Sequence, residues 1–223
     1  MSIRRTVGQW IERRALAWVT HRCVVHGFQT VIVNTRPDVD TRNAIARLDG
    51  ALELLRQYVP HHYRRLRRDF SGFLIERRAY RGAFLVATRT CLVELTFVVN
   101  PAFSLGQVAA TILHEAMHAR LYARGIAIGA DESHRQERFC RRAEIEFGSL
   151  VAGGESIVQR ALESLALSDR DIAPSVDPAL AARRVAEVDL AAPALPLWLK
   201  QRLARQRGVE LPGAGPVNVS ADG

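Results

Sequence analysis

The sequence predicts an α+β protein in which a small mixed or antiparallel sheet packs on helices. Three observations support this class: helical apolar spacing in both halves of the chain, short β-branched runs between them, and 48 % hydrophobic residues, enough to bury a core. A chain of 223 residues fits one compact domain with an appendage. We therefore expect a main domain at 1–168, a helical appendage at 169–207 and a disordered tail at 208–223, where Gly and Pro are frequent.

The first half of the chain is expected to alternate helices and strands. Helices are expected over 8–26 and from Asp40 or Thr41 to Tyr58, and strands over 28–34, 73–79, 83–87 and 90–99. The strands 73–79 and 83–87 are expected to pair as a hairpin around Gly82.

The second half is expected to be helical. Ser104 and Gln107 have the S-x-x-Q spacing of a capping box, which predicts a helix from there to about Tyr122. Gly125 and Gly129 end that helix, and further helices are expected from Asp131 or Ser133, over 155–166, 178–190 and 195–207.

Within the capped helix, residues 114–118 read His-Glu-Ala-Met-His, the pattern H-E-x-x-H. Two His four residues apart project from one face of a helix, so both imidazoles can bind one metal ion. The residues from Thr111 to Ala119 are otherwise uncharged, which predicts a buried helix whose polar side chains need partners. A metal ion is the simplest partner for His114, Glu115 and His118.

The segment from Thr111 to about Phe147 resembles the zincin metallopeptidases, and most closely their gluzincin, thermolysin-like branch. The resemblance implies a zincin-like fold and a Zn²⁺ ion bound by His114 and His118. It also implies hydrolysis of a peptide or protein substrate by a zinc-bound water that Glu115 activates. An edge strand, within 83–87 or 92–99, would bind the substrate backbone.

Three residues compete as the third ligand. Glu137 is preferred because eighteen residues separate it from His118, close to the spacing in thermolysin-like enzymes. Glu144 is either the ligand or an acceptor for a ligand imidazole N–H. His134 as ligand would resemble the SprT-like proteases, which act on DNA-bound protein. Tyr122, one turn beyond His118, is the candidate that stabilises the oxyanion.

The chain departs from the thermolysin-like pattern at three places. Arg141 stands where those enzymes usually have an Asp, Arg120 stands where an apolar residue is usual, and no His follows His134 and no Tyr follows Tyr122. The missing Asp and the missing downstream His and Tyr favour an alternative function, a metal-binding regulatory or interaction protein on a zincin scaffold without efficient proteolysis.

Charge and cysteine content indicate which partners and which cellular compartment to expect. The formal net charge is +8, and the segment 56–89 has nine Arg against two acidic residues, so it could bind an acidic partner or nucleic acid. Cys23, Cys91 and Cys140 show no C-x-x-C spacing, which is typical of a reducing, cytoplasmic setting. The sequence contains no apparent signal peptide and no stretch long enough for a membrane span. Oligomeric state is left open.

Overall fold

This computed structural model describes residues 18–36, 38–126 and 133–173. The chain divides into two units, Met1–Ser175 and Val176–Gly223, and all the described residues belong to the first. The helices expected at 178–190 and 195–207, the tail at 208–223 and residues 8–17 of the first expected helix lie outside the described residues. The expected domain boundaries therefore stay predictions.

The described residues form a mixed α+β fold, as the sequence predicts. Five strands form one sheet: β1 (Thr20–Val25), β2 (Phe28–Val33), β3 (Gly72–Glu76), β4 (Gly82–Leu85) and β5 (Thr90–Glu94). Seven helices lie wholly within the described ranges: α1 (Thr41–Tyr58), α2 (Pro60–Asp69), α3 (Leu95–Val99), α4 (Leu105–Ala123), α5 (Ser133–Leu150), α6 (Glu155–Ala166) and α7 (Asp169–Ile172).

The sheet has a parallel centre and antiparallel edges. Its strand order is β1-β2-β3-β5-β4, with β2, β3 and β5 parallel to one another. The edge strands β1 and β4 run antiparallel to their neighbours. Because β4 has a neighbour on one side only, its other side presents unpaired backbone groups within this sheet.

Residues 20–26 do not continue a helix, so the prediction of a helix over 8–26 is wrong there. They form β1, which pairs with β2 from Thr20↔Val33 to Val25↔Phe28. His26 and Gly27 connect the two strands, and both have positive φ, 49° and 78°. A two-residue turn of that kind matches the twist of a hairpin, so strand pairing overrides the helical spacing.

Two further strand predictions are wrong. The residues expected to pair as a hairpin around Gly82 do not pair, because β3 lies between β2 and β5 while β4 pairs with β5. The strand expected over 90–99 ends at Glu94, whose side chain accepts a hydrogen bond from the Phe97 backbone N–H (2.6 Å) and so begins α3. A short apolar run such as 95–99 has no periodicity that separates strand from helix.

Most of the other predicted elements are confirmed, although the strands expected over 73–79 and 83–87 end at Glu76 and Leu85. Strand β2 and helices α1 and α6 have the expected bounds within one or two residues. Ser104 and Gln107 form the capping box at the start of α4 through hydrogen bonds of 2.9 and 3.2 Å. Among the described residues, none of the helices combines the length and apolarity that a membrane crossing requires.

Helix α4 lies at the centre of the fold. It packs against α1, α5, α2 and strands β4 and β5. Most of its residues from Gly106 to Leu121 are therefore buried, including His114 and Glu115. The uncharged composition around the motif is explained by this burial, because nearly every face of the helix meets another element.

Candidate metal centre

Helices α4 and α5 bring two His and one Glu to a common point. His114 Nε2 lies 3.2 Å from His118 Nε2 and 3.3 Å from Glu137 Oε2, and His118 Nε2 lies 3.2 Å from Glu137 Oε1. In a tetrahedral zinc site with bonds of about 2.0–2.1 Å, neighbouring donor atoms are separated by about 3.3 Å. The three side chains therefore have the mutual spacing of zinc ligands.

Glu144 holds the outer nitrogen of His114. The His114 Nδ1–H donates to Glu144 Oε1 over 2.8 Å, which leaves Nε2 directed to the common point. Glu144 is buried (1 % of its side chain is exposed), and its other contacts are Arg141 at 2.7 Å and Arg160 at 3.2 Å. Of the two roles considered for Glu144, this position fits the orienting acceptor and not the ligand.

The carboxylates make this pocket favourable for positive charge. Burial alone would lower the pKa of His114, but hydrogen bonds to Glu137 and Glu144 outweigh burial and raise it to about 10. Burial raises the pKa values of Glu137 and Glu144, yet hydrogen bonds from the histidines hold both below the usual range for Glu. A pocket that stabilises a proton on an imidazole also attracts a metal cation.

Glu115 lies on the side of the pocket that faces the edge strand. It is 7 % exposed, and the backbone of Phe84 in β4 hydrogen-bonds to its carboxylate. Burial raises the pKa of Glu115, which brings a carboxylate closer to the range in which it exchanges protons at neutral pH. Gly82 allows this approach, because a Cβ there would lie 3.1 Å from Glu115 Oε1 and 2.6 Å from Thr111 Cγ2.

Two of the predicted site residues do not reach the common point. The side chain of His134 lies beside Asp169, with Nε2 3.7 Å from Oδ2. Tyr122 is 43 % exposed, and its ring packs at 6.1 Å from that of Phe84 on the edge strand. Of the three candidates for the third ligand, Glu137 is thus the one whose carboxylate contacts the facing nitrogens of both His114 and His118, and Tyr122 lies beside β4.

One residue of the pocket was not considered as a ligand from the sequence. Cys140 is fully buried, and its Sγ lies within 4.8 Å of an imidazole nitrogen of both His114 and His118. Burial raises the pKa of this thiol well above its usual value, and the nearby carboxylates add to the effect. The sequence feature that indicates Cys140 is its spacing of three residues from Glu137, because residues three apart share a helix face.

A second group of possible ligands lies on α2 and α5. His61 Nε2 and His62 Nε2 lie 3.5 and 3.7 Å from the carboxylate oxygens of Glu146. Adjacent residues on a helix point in different directions, but here both imidazoles reach the same carboxylate. However, Arg120 donates a hydrogen bond to His62 Nδ1, so neutral His62 carries its proton on Nε2, the atom that faces Glu146. Arg120 also pairs with buried Asp69 at 2.7 Å. These contacts give Arg120 a structural role in the fold.

Comparisons with known proteins found no family model, no curated protein and no solved structure that matches this chain. The resemblance to zincins therefore stays a prediction from the motif residues.

Proposed function

We propose that this chain is a zinc-dependent metallopeptidase whose ion is held by His114, His118 and Glu137. The observation that carries the proposal is the mutual separation of 3.2–3.3 Å among the donor atoms of these three residues. Two imidazoles and one carboxylate are a common donor set for catalytic zinc, which keeps a fourth position for water or substrate. When bound there, zinc supplies a Lewis acid that polarises the scissile carbonyl and makes water more acidic.

The chain's own residues supply the proton transfers and the substrate contacts. Glu115 is the general base, which takes a proton from the attacking water and passes it to the leaving amine. Edge strand β4 binds the extended substrate backbone by strand addition, since its outer side is unpaired in the sheet. Tyr122, which packs on Phe84 of that strand, is the candidate donor to the oxyanion.

A second candidate function is a metal-binding protein without turnover. Cys140 favours it, because a thiolate that joins His114, His118 and Glu137 would complete a closed four-ligand site of the structural type. The DNA-associated alternative has less support, since it requires His134 as ligand and that side chain lies beside Asp169.

Metal content and turnover together test the proposal. Zinc per chain is measured by mass spectrometry for the wild type, Glu137→Ala, Cys140→Ser and His134→Ala. We expect about one zinc in the wild type, Cys140→Ser and His134→Ala, and none in Glu137→Ala. His134→Ala is the matched control, since it removes a possible ligand on the same helix.

Two contrary outcomes would overturn this assignment. Wild-type protein without zinc after reconstitution would refute the metal site and the function with it. Loss of zinc in both Glu137→Ala and Cys140→Ser, with no cleavage of a peptide library by the wild type, would establish the closed site and the second candidate function.

A further inference from the structure

Three arginine side chains lie around Glu144, the carboxylate that holds the outer nitrogen of His114. Arg141 and Arg160 pair with Glu144, at 2.7 and 3.2 Å, and Arg141 also lies 3.6 Å from the ligand Glu137. Arg81 is the third: partial desolvation lowers its pKa, the charges of Arg160 and Arg141 lower it further, and the nearby Glu144 carboxylate opposes this shift. Three guanidinium charges are therefore grouped around one carboxylate that contacts the candidate metal centre.

Arg81 differs from the other two in its contacts. Its guanidinium lies over the rings of Phe103 and Phe97, at 4.7 and 5.2 Å from their centres. Within the described ranges no carboxylate forms an ion pair with it, and the residue is exposed to solvent. A guanidinium held on aromatic faces keeps its N–H groups available for an anion from outside the fold.

The backbone places Arg81 at one end of the proposed substrate strand. Its carbonyl accepts a hydrogen bond from the Glu94 N–H over 2.9 Å, which holds it against β5. The next residue, Gly82, begins β4 and lies against the Glu115 carboxylate. A peptide that adds to β4 would thus pass Arg81 within a residue or two of the reacting bond.

The formal charges around the site also favour an added carboxylate once a divalent cation is bound. Glu115, Glu137 and Glu144 offset the guanidinium charges of the three arginines, so the charge of a bound divalent cation would remain uncompensated. A substrate that brings a carboxylate would supply the missing negative charge in a partly desolvated position, where charge pairing is strong.

We propose that Arg81 binds a carboxylate of the substrate, so that the site selects peptides with an acidic side chain or a free C-terminal carboxylate beside the scissile bond. This inference rests on the proposed function and names its substrate class. The two sources of carboxylate share the same recognition chemistry, a bidentate contact with a guanidinium.

Binding measurements on an inactive variant test the inference. The Glu115→Gln protein, with and without zinc, is titrated with N-acetylated pentapeptides that have a central leucine among alanines. The set comprises the neutral amide, amides with one glutamate at each alanine position in turn, and the neutral sequence with a free C-terminus. Dissociation constants are measured by NMR titration.

Arg81→Gln and Arg142→Gln are added to the Glu115→Gln background. Arg142 is an exposed arginine on α5, next in sequence to Arg141, and it serves as the matched control. A charge-assisted hydrogen bond contributes about 1.5–3 kcal/mol, so we expect a carboxylate peptide to bind about 10- to 100-fold more tightly than the neutral amide. Arg81→Gln should remove that preference, and Arg142→Gln should keep it.

The peptide that binds more tightly than the neutral amide identifies the source of the carboxylate. An internal glutamate and a free C-terminus are tested by separate peptides of the set. Equal affinity for carboxylate and amide peptides, or no binding of either, would overturn the role of Arg81, as would a preference that persists in Arg81→Gln. Zinc content in the same samples separates the two failures, because protein that cannot take up zinc refutes the proposed function itself.

Discussion

Glu144→Gln is the substitution that most directly tests how the candidate metal centre is held together. The Glu144 carboxylate is buried, accepts the Nδ1–H of His114 at 2.8 Å and pairs with Arg141 and Arg160 at 2.7 and 3.2 Å. Glutamine keeps the shape of the side chain and one oxygen acceptor but removes the charge. Two guanidinium groups then lose their shared counter-ion in a place with little access to water.

Two effects of this change can be given magnitudes. The folded state loses one buried ion-pair partner while part of the hydrogen bonding survives, so the free energy of unfolding should fall by about 2–3 kcal/mol. Zinc affinity should fall about 10- to 100-fold, as is typical when an acceptor behind a ligand imidazole is lost. Arg141 adds to this loss, because it already lies 3.6 Å from Glu137 and would compete with the ion for that carboxylate.

The assays are competition with a chelating dye for zinc affinity and urea unfolding of metal-free protein for stability. Glu146→Gln is the matched control on the same helix, because half of its side chain is exposed and its contacts are the more distant His61 and His62. We expect the control to stay within about 0.5 kcal/mol of wild type in stability, with unchanged zinc affinity. The reasoning would be refuted if Glu144→Gln bound zinc within twofold of wild type while Glu137→Ala lost it.

Three further predictions follow from the structure. Glu115→Gln should keep its zinc and lower peptide turnover by about 10²- to 10⁴-fold, because only the proton transfer is removed; zinc content and kcat in the same samples check this. Gly82→Ala should cost about 1–3 kcal/mol of unfolding free energy, because its Cβ would meet Thr111 Cγ2 at 2.6 Å, and turnover should fall as Glu115 is displaced. Acid should destabilise the protein through His62. In the folded protein, burial and then the charges of Arg120 and His61 lower the pKa of His62 to about 4, whereas its pKa in the unfolded chain is about 6.5. The unfolded chain therefore binds an extra proton between those pH values, stability falls as pH decreases through that window, and His62→Gln should flatten the slope in pH-dependent urea unfolding.

These three predictions have their own contrary outcomes. Loss of zinc from Glu115→Gln would place that carboxylate among the ligands. Gly106→Ala serves as a control for Gly82→Ala, because its Cβ would meet Ile157 Cδ1 at a less severe 3.3 Å. Equal effects of the two substitutions would contradict the close approach at the edge strand. An unchanged acid slope in His62→Gln would mean that His62 ionises normally in the folded protein.

Local patterns in the sequence predicted the helix that carries the motif. The Ser104 and Gln107 capping box and the i, i+4 spacing of His114 and His118 depend on backbone geometry within a few residues, and the structure has both. Strand pairing was predicted less well. The parallel placement of β3 between β2 and β5 joins segments far apart in the chain, and no local pattern specifies which strands become neighbours.

The residues of the site divide in the same way, between those predicted by local spacing and those that only the tertiary structure brings together. The sequence by itself determined that one face of α4 presents two imidazoles, with Glu115 beside them, because a helix repeats every 3.6 residues whatever surrounds it. Only the tertiary structure decided which candidates lie beside the two imidazoles. Glu137 and Cys140 do, whereas Glu144 lies behind His114 and His134 lies beside Asp169. That choice depends on how α5 and β4 rotate and approach α4, which is set by packing and charge pairing across the whole core rather than by spacing along the chain.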